Sequence, residues 1–470
     1  MDYSRSILHL PQCEPTGHEI EVIRDEDGGV REIHHIRMTG QEHAHCSECN
    51  CKTYRHLTRT TELKHFSLSG TQVCLSVEYE INRCPVCGRL YRQSIPFKQK
   101  GFRCTQLFYR SVVYMVATCK MTITDVARAF ATNRNLVRQI DKARLESAYG
   151  EMKPEGVHRF IGIDEFSLHK NHIYATVVID LESGDVLFLE EGNTERQASH
   201  FISRAGEEFM KNVKAVAMDM NAQYCKAFSN LCPWIRIVYD GFHIIKNYND
   251  RVLTSLRRSE QSRLLEQIEA AKAARDKETY RELICEYSIL KKSNWLLLSN
   301  KATLEAKDKA AKEHNRELYD RYESKGLSIP EGERKWKVTN ASRLEQILST
   351  NEKLQTAYVL RTMLQNALSC TSLEQMKDGL VMFIKVARKT RIPELEGVCR
   401  MLEKRMDGIL SHVLFPISNG PLEGTNNMIK SLRRLAFGYR DTRYFFLKIW
   451  DASRLHPKSR SYSRFQQNCA

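Results

Sequence analysis

Three acidic residues sit in contexts suited to chemistry: Asp164 closes the apolar run Phe160-Ile-Gly-Ile, Asp219 closes Val213-Lys-Ala-Val-Ala-Met, and Glu423 lies within Ser418-Asn-Gly-Pro-Leu-Glu-Gly-Thr-Asn-Asn. A strand that finishes in a carboxylate delivers it to the carboxyl edge of a sheet, where open α/β sheets hold their ligands. Two such strands side by side, joined by a third carboxylate arriving on a helix, make an oxygen-only pocket suited to Mg²⁺ or Mn²⁺. Such pockets serve two-metal displacement at phosphodiesters, where cation charge offsets the negative charge that builds around phosphorus. Asp240 is the rival of Asp219, because Trp234-Ile-Arg-Ile-Val-Tyr is also an apolar run ending in an acid. His243, three residues further on, reads either as orienting a scissile phosphate or Asp240, or as a satisfied structural histidine. Asp180 and Asp185 flank Leu181-Glu-Ser-Gly and read as turn residues.

The elements that must position these acids follow from the residue pattern. Phe160–Phe166, His172–Asp180, Asp185–Glu190, Val213–Asp219 and Trp234–Asp240 are β-rich, and Glu195–Met210 is helical. Three adjacent strands, a helix, then two further strands with helices is the order of a ribonuclease-H-like fold, with its acids on the first and fourth strands. Asp164 and Asp219 occupy those positions. From Phe242 to Lys325 there is neither Gly nor Pro, and helix formers dominate; helices resume over residues 342–405. The expected class is therefore multidomain α+β. A ribonuclease-H-like α/β catalytic domain (157–243 and 406–452) is interrupted by an all-α insertion (244–405), with a basic tail at 453–470. Lys430, Arg433, Arg434 and Arg440 follow Glu423 on the same helix and its exit, where they can hold DNA phosphates.

Towards the amino end, Cys46-Ser-Glu-Cys49 and Cys84-Pro-Val-Cys87 are two thiol pairs with two residues inside each. Paired thiolates at that spacing grip one ion from a tight turn, and two pairs close a tetrahedral structural Zn²⁺ site. Cys51, His43 and His45 are rival ligands; the four cysteines are the set chosen. The 34 residues between Cys49 and Cys84 exceed the usual interval. Alternation from Leu63 to Tyr79 predicts a hairpin that takes up the excess. A second hairpin is expected from His18–Arg24 and Val30–Ile36, whereas Cys74, Cys104 and Cys119 read as small core residues. Residues 1–104 are assigned to an amino-terminal region that contains the zinc ribbon.

Residues 105–150 read as a helix-turn-helix. Leu107, Val112, Val113 and Val116 form one face, Thr122 or Thr124 caps the next helix, and Ala127 is small where two helices cross. The second helix turns Arg134, Asn135 and Arg138 outward, side-chain types that read guanine and adenine edges in the major groove.

With 470 residues the chain is long enough for several domains, and its 72 Lys and Arg against 57 Asp and Glu, net +15, favour a polyanionic partner. Seven of the 15 cysteines fall between Cys46 and Cys104, no secretory h-region follows Met1, and the apolar stretch at 112–117 is too short for a bilayer. These features predict a cytoplasmic, nucleoid-associated protein with no membrane partner.

At Gly162-Ile-Asp164-Glu-Phe-Ser, Ala217-Met-Asp219-Met, Asp240-Gly-Phe-His243, Ser418-Asn-Gly-Pro-Leu-Glu423-Gly-Thr-Asn-Asn-Met-Ile-Lys430 and Phe437-Gly-Tyr-Arg440 the chain resembles DDE transposases of bacterial insertion sequences, specifically the ISL-three family. The resemblance covers nearly the whole length, apart from the first 40 residues and the Cys49–Cys84 interval. It implies that Asp164, Asp219 and Glu423 are the acidic triad, and that Asp240 and His243 match an Asp-x-x-His signature after the second Asp. It further implies that the zinc ribbon and helix-turn-helix recognise terminal inverted repeats in double-stranded DNA. The expected activity is metal-dependent cleavage followed by strand transfer to target DNA, by a homodimer or larger assembly. The competing readings are a non-catalytic DNA-binding regulator and a nuclease of the same fold without strand transfer.

Overall fold

The computed structural model describes residues 10–24, 29–39, 45–68, 71–117, 121–169, 173–291, 293–324 and 339–455. His43, Cys119 and the tail beyond Leu455 lie outside them. The chain is mixed α/β and divides into two compact units: one combines the segment up to Met152 with Asn427–His456, and the other holds Lys153–Asn426.

The first unit contains a six-stranded sheet of β1 (Cys13–Pro15), β2 (Glu21–Arg24), β3 (Val30–Met38), β4 (Tyr54–Leu68), β5 (Thr71–Arg83) and β6 (Leu90–Arg92). β2 pairs antiparallel with β3, Glu21 opposite Ile33 and Arg24 opposite Val30, which is the amino-terminal hairpin expected from the alternation. β4 and β5 form a long antiparallel ribbon that starts with Tyr54 opposite Arg83 and reaches Leu68 opposite Thr71. A ribbon returns the chain to where it left, so the long interval between the thiol pairs costs nothing in separation. One face of the ribbon is core, with Leu63, Leu75, Val77 and Tyr79 packed among Ile36, Met38 and Phe97. Cys74 and Cys104 are buried.

Three helices follow: α1 (Gln106–Ala117), α2 (Ile123–Ala129) and α3 (Arg134–Tyr149). The Thr122 hydroxyl accepts from the Asp125 amide at 3.1 Å and caps α2, while Asn133 Oδ1 accepts from the Leu136 amide at 2.7 Å and caps α3. Phe108, Val112 and Val116, spaced by four, make the buried stripe of α1 with Val126, Ala127, Val137 and Ile140. Leu107, expected on that stripe, is exposed, because a period of four from Val112 selects Phe108 instead. The last helix among the described residues, α17 (Thr442–Leu455), belongs to this unit and packs on α3 through Leu145, Tyr149, Tyr444 and Leu447.

The second unit is built on β7 (Phe160–His169), β8 (Ile173–Asp180), β9 (Val186–Glu191), β10 (Ala215–Met218) and β11 (Arg236–Tyr239), in the order β11-β10-β7-β8-β9. β7, β8 and β9 are antiparallel neighbours; β10 runs parallel to β7, and β11 parallel to β10. β10 is buried at all four residues, which accounts for its unbroken apolar sequence. α4 (Glu195–Asn212) follows β9 and breaks at Gly206, whose φ of 82° an L side chain tolerates poorly; α5 (Ala222–Leu231) follows β10 and α6 (Gly241–Tyr248) follows β11.

A π-helical turn at Asn249–Leu253 leads into α7 (Thr254–Ala273), and α8 (Lys277–Leu290), α9 (Asn294–Leu298), α10 (Lys301–Glu323), α11 (Asn340–Thr350), α12 (Glu352–Leu368), α13 (Leu373–Lys389), α14 (Pro393–Lys404) and α15 (Met406–Leu414) follow. One apolar core runs without a break from Ile161 and Met218 on the sheet through Tyr248, Leu297 and Leu354 to Phe383 and Leu402. Arg361, almost fully buried, donates to the carbonyls of Leu297, Leu298 and Ser299 and so ends α9. α16 (Gly420–Leu435) begins in this unit, and its residues from Asn427 onward count with the other. Among the described residues, no helix is long and apolar enough to cross a membrane.

Candidate active site and metal-ligating clusters

Parallel pairing puts Ile163 opposite Met218, so the next residue on each strand, Asp164 and Asp219, emerges beside the other. β7 runs past Asp164, as the span Phe160–Phe166 implied, and continues to His169, with Asp164 opposite Val177 of β8. The edge is formed instead by the short β10, which ends at Met218. There the Asp219 carboxylate accepts the Met220 amide at 2.6 Å, and Asn221 caps α5 by accepting the Gln223 amide. Asp164 likewise accepts the amide of its own successor, Glu165, at 2.8 Å.

Gly162 explains how the third acid approaches. A Cβ there would lie 2.8 Å from both Leu181 and Leu422, so only glycine lets the first turn of α16 settle on β7. One turn beyond Glu423, Asn426 Nδ2 donates to Asp164 Oδ2 at 2.8 Å. The Glu423 side chain itself is exposed. Among the described residues, no three carboxylate or histidine groups have ligand atoms within 4.8 Å of one another, so Glu423 has not closed on the pair.

Burial raises the Asp164 carboxyl above its ordinary value, the Glu165 amide opposes this, and the neighbouring Asp219 charge adds to the rise. Burial also works against ionised Asp219, yet its bond to His243 holds the carboxyl below the usual range, helped by the charge of Lys246. His243 Nδ1 stands 3.4 Å from Asp219 Oδ2, and that contact raises the imidazole pKa. Its carboxylate partner is thus Asp219 rather than Asp240. Asp240 caps α6 through the Phe242 amide at 2.8 Å and holds the Asn419 amide at 3.1 Å, bracing the loop before Glu423.

Two carboxylates close enough to perturb each other, with an amide oxygen nearby, form a donor set that fits Mg²⁺ or Mn²⁺. Asn426 Oδ1 is buried with no hydrogen-bond partner, an orphaned acceptor that a cation or its water would satisfy. Asn426 and Lys246 were not singled out in the sequence. Asn426 stands three residues after Glu423, hence on the same helix face, and that spacing is the signal that could have found it.

The four cysteines do converge. Cys46 Sγ lies 3.5 Å from Cys87 Sγ, and Cys49 Sγ is 3.3 Å from Cys84 and 3.9 Å from Cys87. All four sulfurs fall within 4.8 Å of one another. Thiolates at the usual ~2.3 Å from one tetrahedral Zn²⁺ would be separated by about 3.8 Å, so the cluster fits that ion. The two knuckles repeat the same bonds: the Asn50 amide donates to the Cys46 carbonyl as Gly88 does to Cys84, and the Cys46 amide donates to the Cys51 carbonyl as Cys84 does to Arg89. Asn50 and Gly88 both take left-handed backbone, a role their residue types suit. The Tyr91 hydroxyl donates to Cys46 at 3.0 Å and draws that thiol down to about 6, while the Cys84 thiol pushes Cys49 up to about 12. Cys51 and His45 stand outside the cluster.

Arg134, Asn135 and Arg138 lie exposed on α3, Lys430 and Arg434 are exposed on α16, and Arg440 is exposed beyond it; Arg433 is half-buried.

Residues 161–449 match a family model described as transposase, of the DDE type found in ISL-three elements. The chain is 26% identical over 405 residues to the transposase for insertion sequence element IS1001 of Bordetella parapertussis, covering 86% of this chain and 87% of that one. It is 23% identical over 433 residues to the transposase for insertion sequence element IS1557 in two Mycobacterium tuberculosis strains, covering 90% and 88%. With the family model spanning well over half of its length, the chain belongs to the ISL-three family of DDE transposases.

Proposed function

We propose that this transposase binds the terminal inverted repeats of an insertion sequence, cleaves them with the help of Mg²⁺ or Mn²⁺, and joins the freed 3′-hydroxyl to target DNA. The observation that carries the reading is the delivery of Asp164 and Asp219 from neighbouring parallel strands, with α16 seated on the same strand through Gly162 and Leu422. The strand order β11-β10-β7-β8-β9 supports a ribonuclease-H-like catalytic domain split by the helical insertion 244–405. Asp164, Asp219 and Glu423 hold the cations, Glu423 by rotating inward from its exposed position. Bound there, the cations supply positive charge against the phosphorus centre. His243 keeps Asp219 ionised, Asp240 fixes the loop before Glu423, and Asn426 fixes the orientation of Asp164.

Zn²⁺ at Cys46, Cys49, Cys84 and Cys87 organises the amino-terminal region 1–104. Arg134, Asn135 and Arg138 of the helix-turn-helix over 105–150 read base edges in the repeats. Lys430, Arg433, Arg434 and Arg440 hold phosphates, and two or more copies act on paired ends. The test is Asp164→Asn assayed on a duplex carrying the element's terminal repeat. Mg²⁺-dependent nicking should fall by roughly a hundred- to a thousandfold, by analogy with the loss of other preorganised charge-stabilising groups, while duplex affinity stays within a few fold. Undiminished nicking rejects the catalytic assignment of Asp164, and no nicking by the wild type leaves a DNA-binding regulator. Nicking without any joined product leaves only a nuclease.

A further inference from the structure

Helix α16 ends in a complete Schellman turn: the Gly438 amide donates to the Arg433 carbonyl at 2.9 Å and the Phe437 amide to the Arg434 carbonyl at 3.1 Å. The residue at the bend of such a turn takes left-handed backbone, and glycine is usual there because a Cβ is penalised. In this chain that residue is Phe437, at φ 53°, and glycine comes one position late, at Gly438. The ring recovers none of the strain by packing. Phe437 is 101% exposed, against 70% for Val157, the next most exposed large apolar side chain among the described residues. On both counts phenylalanine works against the folded state here, and residues held in unfavourable backbone with nothing gained locally gather where a partner is awaited.

The surroundings define that partner. Lys430 and Arg434 lie exposed in the last two turns of the helix and Arg440 three residues beyond the ring, while Asp441 is engaged by Lys142 at 2.6 Å. A bare aromatic face among cations is the footprint of nucleic acid, phosphates meeting the cations and a base stacking on the ring. Within a duplex both faces of each base are already covered by neighbours. The ring therefore suits a base that has left its pair. We propose that Phe437 is a stacking platform for an unpaired base of DNA, with Arg434 and Arg440 on the adjacent phosphates. This rests on the DNA-binding reading above and adds to it a residue specific for opened DNA.

The probe is a duplex of arbitrary sequence ending in a short unpaired arm that carries 2-aminopurine, compared with the same duplex made blunt, without added Mg²⁺ or Mn²⁺. The wild-type chain should prefer the forked probe by roughly 5- to 150-fold, the range that stacking of one base confers, with a change in 2-aminopurine fluorescence on binding. Phe437→Ala should lose the preference and the fluorescence change while blunt-duplex affinity stays within about twofold of the wild type. Phe437→Trp should keep both. Phe437→Gly should lose the preference yet raise the melting temperature, because it relieves the left-handed strain. A preference unchanged in Phe437→Ala, or no preference in the wild type, overturns the proposal. So does a change of oligomeric state in DNA-free Phe437→Ala, which would make a second copy of the chain the ring's partner. No cleavage is read, so failure of the nicking assay and failure here are separate outcomes.

Discussion

Cys84 and Cys87 show how much one residue type can carry when its spacing is right. Two pairs of thiols, each separated by two residues, are legible as a metal grip from the sequence, and the structure brings their sulfurs within one coordination shell. Removing half the set should remove the ion. The Cys84→Ser/Cys87→Ser double variant is expected to lose roughly one equivalent of zinc by elemental analysis, since two remaining thiolates cannot close the shell. Unaltered zinc content would refute the assignment. The amides and lysines of the carboxylate site were illegible by comparison. Lys246 has no spacing of its own to announce it, Asn426 shows only its three-residue offset from Glu423, and both matter only through Asp164 and Asp219.

At the scale of elements, the second unit's sheet holds a pH-sensitive brace. His158, just before β7, points Nδ1 at Asp180 Oδ2, 3.4 Å away, and Nε2 at the Glu155 carbonyl, 2.9 Å away. Both nitrogens face acceptors, so only the doubly protonated ring satisfies both. The bond to Asp180 raises the imidazole pKa above 6.5. Burial opposes ionisation of Asp180, but His158 and the Ser183 amide hold its carboxyl below 3.8. A raised histidine contributes stability that is full below pH 6.5 and lost as pH climbs through the folded value; a lowered aspartate contributes stability that is full above pH 3.8 and lost on acidification. The brace is therefore strongest between those limits. His158→Gln should cost about 1 kcal/mol near pH 6, and the difference from wild type should shrink towards pH 9, as read by hydrogen-exchange protection of β7 and β8 amides across pH. A difference independent of pH would mean the imidazolium plays no part. Asp180 was readable as a turn residue, and it does accept the Ser183 amide. The continuation of β7 beyond Phe166 was not readable. The acid interrupts the apolar run of one strand, but whether that strand stops depends on its antiparallel neighbour, which local pattern does not encode.

Across the whole molecule, the least legible contact joins the two ends of the first unit. Asp141 of α3 is fully buried and accepts from Tyr444 at 2.6 Å and from Lys448 at 3.1 Å, both on α17, with Lys448 307 positions away. Arg144 bridges Asp141 and Asp451, and the Tyr149 hydroxyl adds a bond to Asp451 at 3.1 Å. Nothing in the sequence singles these residues out, because nothing one-dimensional pairs helix faces so far apart. The consequence is that the amino-terminal helices and the last helix form one folding unit, and a helix-turn-helix cut out at residue 150 would leave Asp141 and Arg144 without half their partners. Asp141→Ala removes the acid that Arg144 and Lys448 share, and breaking such a buried pair typically costs about 3–5 kcal/mol. Because the chain has two units, a single melting curve would blur that loss. Hydrogen exchange resolves it: amides of α3 and α17 should lose protection together, while those of β7, β8 and β10 in the other unit keep theirs. If α17 alone exchanges faster and α3 does not, the two helices fold independently. In that case the outward display of Arg134, Asn135 and Arg138 would rest on α1 and α2 alone.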